Sequence, residues 1–455
     1  MRVYLETLGC RLNFAEMAEL GRQLTGAGHD VVASAAEADV CVLNSCAVTG
    51  EAARKSRQLA RQLARADPEV PVIMTGCLAT LEPQVVSALP NVRLVVGNER
   101  KDQLLRLIAR LPARGGAGRD APLRRPPRPG AGGQLPAHGA LFDRTRAFVK
   151  VQDGCHNRCT FCIVSAARGV ERSVAAGAVV AEVNALHQAG YQEAVLTGVH
   201  LGAYGRDGRG DLRSLLDALL AETAIPRLRL SSLEPFDLAA EFFDRWQTSD
   251  GRLMPHLHLP AQAGSDATLR RMARRNSVAD FESLVAAARD RIPGLTLTTD
   301  LIAGFPGESE ADFAETLAFA RRVAFAHVHV FAYSARAGTA AARMKDQVPQ
   351  PERRRRSRVL NELGRELGDT VRTGALGQVR PVLWEHADTS LEAELVTWSG
   401  LTDNYLRVRT AVPASRVLHN RILPTRLERL DGQDLWGELI EPHHPPAGTS
   451  PHPPF

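Results

Sequence analysis

Apolar residues near the start of the chain fall into short runs separated by longer stretches with a helical period. Residues 2–8, 40–44, 72–75 and 94–97 read as buried strands, while 16–26 and 51–66 repeat apolar positions every three or four residues. This alternation predicts a small parallel α/β sheet over residues 1–110. Cys10, Cys46 and Cys77 each stand just past a predicted strand end, where open α/β sheets collect ligands. The spacing therefore suggests one site held by three cysteines. Cys41 lies inside an apolar strand and reads as a core thiol.

The pattern then breaks. Residues 111–140 are rich in Pro, Gly and Arg, too poor in apolar side chains to bury a core, and read as a basic linker. Strand and helix signals resume over 141–372, with strands expected at 147–151, 194–197, 227–231, 256–259, 295–302 and 326–331. Six such βα units predict a partial (β/α)6 barrel whose chemistry gathers at the C-terminal strand ends. By that position Gly198, Ser232, Gln262 and Asp300 are candidates for cofactor contact. A helix over 351–372 carries the stripe Val359, Leu363, Leu367 and Val371, and the arginines at its start read as a solvated face. Over 373–441 the period drops to two, at 379–384, 391–396 and 405–409, which predicts a small antiparallel β-barrel of an oligonucleotide-binding kind. Arg407, Arg409, Arg416, Arg421, Arg426 and Arg429 offer phosphate contacts there, and Tyr405 and Trp398 offer stacking surfaces. Glu392, Glu394, Glu428 and Asp431 dilute that patch, and the tail 442–455 reads as disordered.

Composition narrows the setting. No apolar run approaches the ~18 residues of a membrane span, and no signal-peptide core follows Met1. A cytoplasmic, reducing location is expected, in which seven cysteines serve metal or catalysis rather than disulfides. A net charge of +5 permits a nucleic-acid partner.

Cys155, Cys159 and Cys162 carry the strongest chemical signal, in the spacing C-x3-C-x2-C with Phe161 before the last. A zinc knuckle wants four ligands, commonly in paired C-x2-C units, and no fourth Cys or close His completes one here. Scattered core thiols would not be spaced this way. Three thiolates on a [4Fe–4S] cube leave one iron open. This spacing resembles that of the radical S-adenosylmethionine (SAM) enzymes, whose open iron takes SAM.

With both triads placed, the chain resembles the radical SAM methylthiotransferases along nearly its whole length. The wording of TLGCRLN, NSCAVTGEAARKSRQ, VQDGCHNRCTFC, LTGVHLGAYG, LRLSSLEP and TTDLIAGFPGE is most similar to the branch acting on N6-threonylcarbamoyladenosine of tRNA. The resemblance implies two [4Fe–4S] clusters, one on each triad, with SAM as co-substrate and Phe161 beside the cofactor. It implies that the central cluster generates the radical at C2 of the purine while the N-terminal one presents the sulfur. It also implies a C-terminal TRAM-type barrel, a tRNA anticodon stem-loop as partner and a low-potential electron donor. Ser165–Ala166 and Ala261, Ala263, Ala332, Ala335, Ala337 and Ala340 depart from the family wording, with every cluster cysteine intact. The competing readings are methylthiolation of isopentenyladenosine or of a ribosomal-protein aspartate, and an iron–sulfur tRNA-binding protein without catalysis.

Overall fold

The computed structural model describes residues 1–111, 144–388 and 394–440. The predicted linker beyond Leu111, residues 391–393 with Glu392, and the tail 442–455 lie outside them. The chain forms two compact units, Met1–Gly368 and the residues from Asp369 onward.

The first unit begins with five parallel strands: β1 (Arg2–Thr7), β2 (Asp30–Val32), β3 (Val40–Ser45), β4 (Val72–Gly76) and β5 (Val92–Val96), in the order β2-β1-β3-β4-β5. Strands β3 and β4 are buried at every position because helices cover both faces of the sheet. That is why they read as unbroken apolar runs, and why Cys41 sits wholly within the core. The three-residue edge strand β2 is too short to leave a period. The helix Arg11–Gly26 starts earlier than its apolar period suggests, directly behind Cys10.

The same unit continues with β6 (Arg146–Lys150), β7 (Gln152–Asp153), β8 (Arg172–Ser173), β9 (Glu193–Thr197), β10 (Arg227–Leu230), β11 (His256–His258), β12 (Thr296–Ala303) and β13 (His327–Ala332). Six of them form two parallel three-stranded sheets, β6-β9-β10 and β11-β12-β13. Isolated bridges at Leu228↔Leu253 and Ser232↔His258 join the two. Pro255 stands at this junction and has no N–H to give, so a regular ladder cannot cross there. The outer helices Leu212–Glu222, Val278–Arg291 and Glu310–Val323 each open on a capping box, led by Asp211, Ser277 and Ser309. Inside the barrel the side chains are polar: Glu193 and Arg229 are fully buried against each other, Arg229 Nε to Glu193 Oε1 at 2.7 Å.

Ala15 of the first helix packs with Phe148 of β6 and Val195 of β9, which brings the N-terminal sheet against the barrel. The short strands β7 and β8 pair antiparallel, Gln152↔Ser173 and Asp153↔Arg172. They close the base of the loop that carries Cys155, Cys159 and Cys162.

One expectation holds only in part in the helix Gln350–Gly374. Arg354 and Arg358 are exposed, but Arg356 is buried, bonded to Glu308 at 2.9 Å and Glu352 at 2.7 Å. Arg353 donates to the Tyr333 carbonyl at 3.1 Å and lies over that ring. Glu308, Glu310 and Glu352 draw Arg355 and Arg356 out of the solvated face into ion pairs.

In the second unit, β14 (Val379–Asp388), β15 (Leu395–Thr402), β16 (Arg407–Pro413), β17 (Ile422–Asp431) and β18 (Asp434–Leu439) close into a barrel in the order β14-β15-β16-β18-β17. Trp384, Val408, Leu427 and Leu435 fill it. Trp398 is part of this core, not a stacking surface, and Arg409 is tied to Asp431 at 2.9 Å. Tyr405, at φ +73°, lies in the turn before β16 rather than in the strand. Arg407, Arg421, Arg426 and Arg429 remain exposed.

Candidate metal centres

The N-terminal cysteines converge because each follows a central strand of one sheet. Cys10 stands between β1 and the helix Arg11–Gly26, Cys46 directly follows β3, and Cys77 opens the helix after β4. Gly9, at φ +124°, makes the approach possible: a Cβ there would lie 2.8 Å from Cys46 Cβ and 3.1 Å from its sulfur. Burial pushes the Cys46 thiol up to about 11, and the neighbouring Cys77 and Cys10 add to the shift. Asn13 Oδ1 lies 3.7 Å from Cys10 Sγ, and Asn98 Nδ2 lies 3.8 Å from Cys77 Sγ.

The barrel cysteines converge through a local turn, in which Cys162 N–H donates to the Cys159 carbonyl at 3.0 Å. Gly154, at φ +77°, has no room for a Cβ, which would meet the Val170 carbonyl oxygen at 1.9 Å. Every sulfur has an N–H donor close by: Asn157 N at 3.4 Å from Cys155, Val164 N at 3.4 Å from Cys162, and Arg274 Nη1 at 3.8 Å from Cys159. Donors aimed at sulfur suit thiolates bound to iron, whose potential such contacts tune. Burial pushes the Cys162 thiol up to about 12, with Cys159 and Cys155 contributing. Metal binding at either triad therefore releases protons.

Three residues near the two triads escape a reading of the sequence alone. His200 Nδ1 lies 3.8 Å from Cys155 Sγ and 3.0 Å from Glu171 Oε1, and its Nε2 bonds Asp237. Burial lowers its affinity for a proton, but the bonds to Asp237 and Cys155 outweigh that and raise it to about 10. His200 is thus a buried cation. Arg274 is a second, held by Glu234 at 2.5 Å and the Pro260 carbonyl at 2.9 Å. Arg168 is a third, at the end of the helix Val164–Arg168.

The five cofactor candidates lie along the strand ends in two groups. Gly198 follows β9, packed on Gln152, whose Oε1 accepts the His200 N–H at 2.8 Å. Phe161 meets Phe305 edge-on, 6.4 Å between centroids. Ser232 bridges to His258, His258 Nε2 lies 3.4 Å from Asp300 Oδ1, and Gln262 N–H donates to the Asp300 carbonyl at 2.8 Å. Asp300 lies within β12 rather than past its end. Across β11, β12 and β13, His258, Asp300 and His329 form one polar cluster.

Two family models match the chain: "Uncharacterized protein family UPF0004" over residues 2–97 and "Radical SAM superfamily" over 149–320. The threonylcarbamoyladenosine tRNA methylthiotransferase MtaB of Bacillus subtilis is 36% identical over 417 residues, 89% of each chain. Its namesake in Thermotoga maritima is 36% identical over 84% of this chain and 86% of its own. The chain belongs to the radical SAM methylthiotransferase family. The family's tRNA-2-methylthio-N(6)-dimethylallyladenosine synthase from Chlorobium limicola is 33% identical over 88% and 90% of the two chains. Among solved structures, the radical SAM methyltransferase TsrM of Kitasatospora setae shares the fold, with a TM-score of 0.53 at 14% identity over 75% of this chain and 77% of that one. As a radical SAM methylthiotransferase, the protein is an enzyme that uses a [4Fe–4S] cluster and SAM.

Proposed function

We propose that the protein adds a methylthio group to C2 of N6-threonylcarbamoyladenosine, 3′ of the anticodon of tRNA. The observation that carries this reading is the presence of two three-cysteine sites within one compact unit, in a chain most of whose length matches enzymes named for that substrate. Cys155, Cys159 and Cys162 hold one [4Fe–4S] cluster, and Cys10, Cys46 and Cys77 hold a second. The first, when bound and reduced by a low-potential donor, supplies the electron that cleaves SAM.

The chain's own residues do the rest. The Arg274 and His200 cations lie against the first triad's sulfurs. Phe161, backed by Phe305, would wall the cofactor side, and Gly198, Ser232, Gln262 and Asp300 are the residues that would hold SAM. The second triad presents sulfur to the purine. Residues 1–110 and 141–372 serve as the sulfur and radical modules, and 373–441 grips the anticodon stem-loop in the cytoplasm through exposed arginines.

His258 and His329, beside Asp300, favour threonylcarbamoyl over isopentenyl as the substrate's side chain. Partial desolvation and the neighbouring His327 lower His329 to about 4 although its side chain keeps contact with solvent, so its ring is neutral and offers one N–H. Hydrogen-bonding groups match a carboxylate, a hydroxyl and a urea, whereas an isopentenyl group would leave them unpaired.

Mass spectrometry of tRNA nucleosides from cells without the gene tests this. The methylthio form of threonylcarbamoyladenosine should vanish and its precursor accumulate, with recovery on complementation. Loss of methylthio-isopentenyladenosine instead would overturn the substrate assignment, and an unchanged nucleoside profile would overturn the tRNA reading.

A further inference from the structure

We propose that Arg168 is a positioning residue for the N-terminal triad: it carries a buried cation from the barrel's cysteine loop to the edge of the second cluster site and sets that cluster's potential. This rests on the two-cluster reading above. The helix Val164–Arg168 begins two residues after Cys162 and ends against the other triad. Arg168 Nη2 donates to Asn13 Oδ1 at 2.5 Å, and that oxygen is 3.7 Å from Cys10 Sγ. The preceding Ala167 carbonyl accepts Asn98 Nδ2 at 2.7 Å, and that nitrogen is 3.8 Å from Cys77 Sγ. Two of the three N-terminal thiols are therefore one amide side chain away from residues 167 and 168.

The charges around Arg168 do not cancel. Its Nη1 meets Glu16 at 2.6 Å and Asp153 at 3.4 Å. Glu16 is also bonded to Lys101 at 2.6 Å and Lys150 at 3.2 Å, and Lys150 to Asp153 at 2.8 Å. Arg168, Lys101 and Lys150, with the more exposed Arg172 at 3.8 Å from Asp153, make four cations against the two carboxylates, two positive charges in excess. A cluster on three thiolates becomes more negative when reduced, and a buried cation beside it favours that state. Arg168 is not needed to neutralise Glu16, which keeps both lysines. A residue serving only as cement between sheet and barrel would alter stability and leave the potential alone.

The test is an anaerobic, EPR-monitored redox titration of the reconstituted full chain, with the barrel triad silenced as C155A/C159A/C162A. In that background R168M should move the midpoint to a more negative value and R168K should restore it. With the N-terminal triad silenced instead, R168M should leave the remaining cluster's midpoint where it was. A loaded R168M cluster with an unmoved midpoint overturns the proposal. If R168M takes up no iron, uptake by R168K at the wild-type midpoint supports the positioning role, and failure of both overturns it. Absence of any cluster from the barrel-silenced parent would sink the two-cluster reading itself, a result separable from an intact but unshifted one.

Discussion

Single residues decide whether the sulfurs can meet. Each triad's first cysteine follows a glycine in the left-handed region, Gly9 and Gly154, and in both places a Cβ would strike a neighbour. Gly9→Ala should therefore spoil the N-terminal site and spare the barrel site. Iron content of the reconstituted protein should fall from about eight atoms per chain to about four, while reductive cleavage of SAM continues; full iron in the variant would contradict this. Glu193 makes a different kind of prediction. Burial alone would raise its carboxyl, but Arg229 beside it holds it at about 2, below the ordinary 4.5. The folded value is depressed, so the stabilisation is whole above pH 4.5 and drains away as pH falls towards 2. On that shift it is worth about 3 kcal/mol. The urea midpoint should therefore drop between about pH 5 and about pH 3 more in the wild type than in Glu193→Gln, which starts lower. The six cysteines were legible because their order along the chain matches strand ends or a tight turn. His200, Arg274 and Arg168 were not: the arginines each have similar residues nearby, His200 stands in a loop with no ligand spacing to mark it, and only packing shows that they turn inward.

Whole elements were legible where burial imposes a period. The six barrel strands and the two central strands β3 and β4 lie within two residues of their expected bounds. The pair β7 and β8 has two residues each and no period to read, yet it closes the cysteine loop. In the second unit the register of β17 slips between Leu427 and Arg429 as it pairs with β18. The bulge re-phases the strand, so Arg429 faces outward over Trp436, 4.7 Å from guanidinium to ring centroid. The aromatic partner of the basic face is thus Trp436, while Trp398, the more obvious choice from sequence, is spent on the core. Replacing Arg426 and Arg429 with Ala should flatten the dependence of log Kd for tRNA on log salt by about two, roughly one for each phosphate no longer neutralised. Filter binding over a salt series measures it, and parallel lines for variant and wild type would remove this strand from the interface.

At the scale of the molecule, both cysteine triads belong to one compact unit, and the N-terminal helix that follows Cys10 packs directly on the barrel strands β6 and β9. No period or motif announces that docking, since its apolar contact is a small patch of Ala15, Phe148 and Val195. The barrel wall itself is unequal. Between β10 and β11 the ladder gives way to isolated bridges, because Pro255 offers no donor, while the neighbouring strands on either side are laced throughout. The barrel cysteines follow β7, but their loop is bonded to the half that holds His258, Asp300 and His329: Thr160 N–H donates to the Met272 carbonyl at 3.0 Å, and Arg274 Nη1 lies 3.8 Å from Cys159 Sγ. The wall therefore has a seam, and the cysteine loop straddles it. Parting the two halves would pull on Thr160 and Arg274, and so on Cys159, which couples the width of the mouth to the shape of the cysteine site.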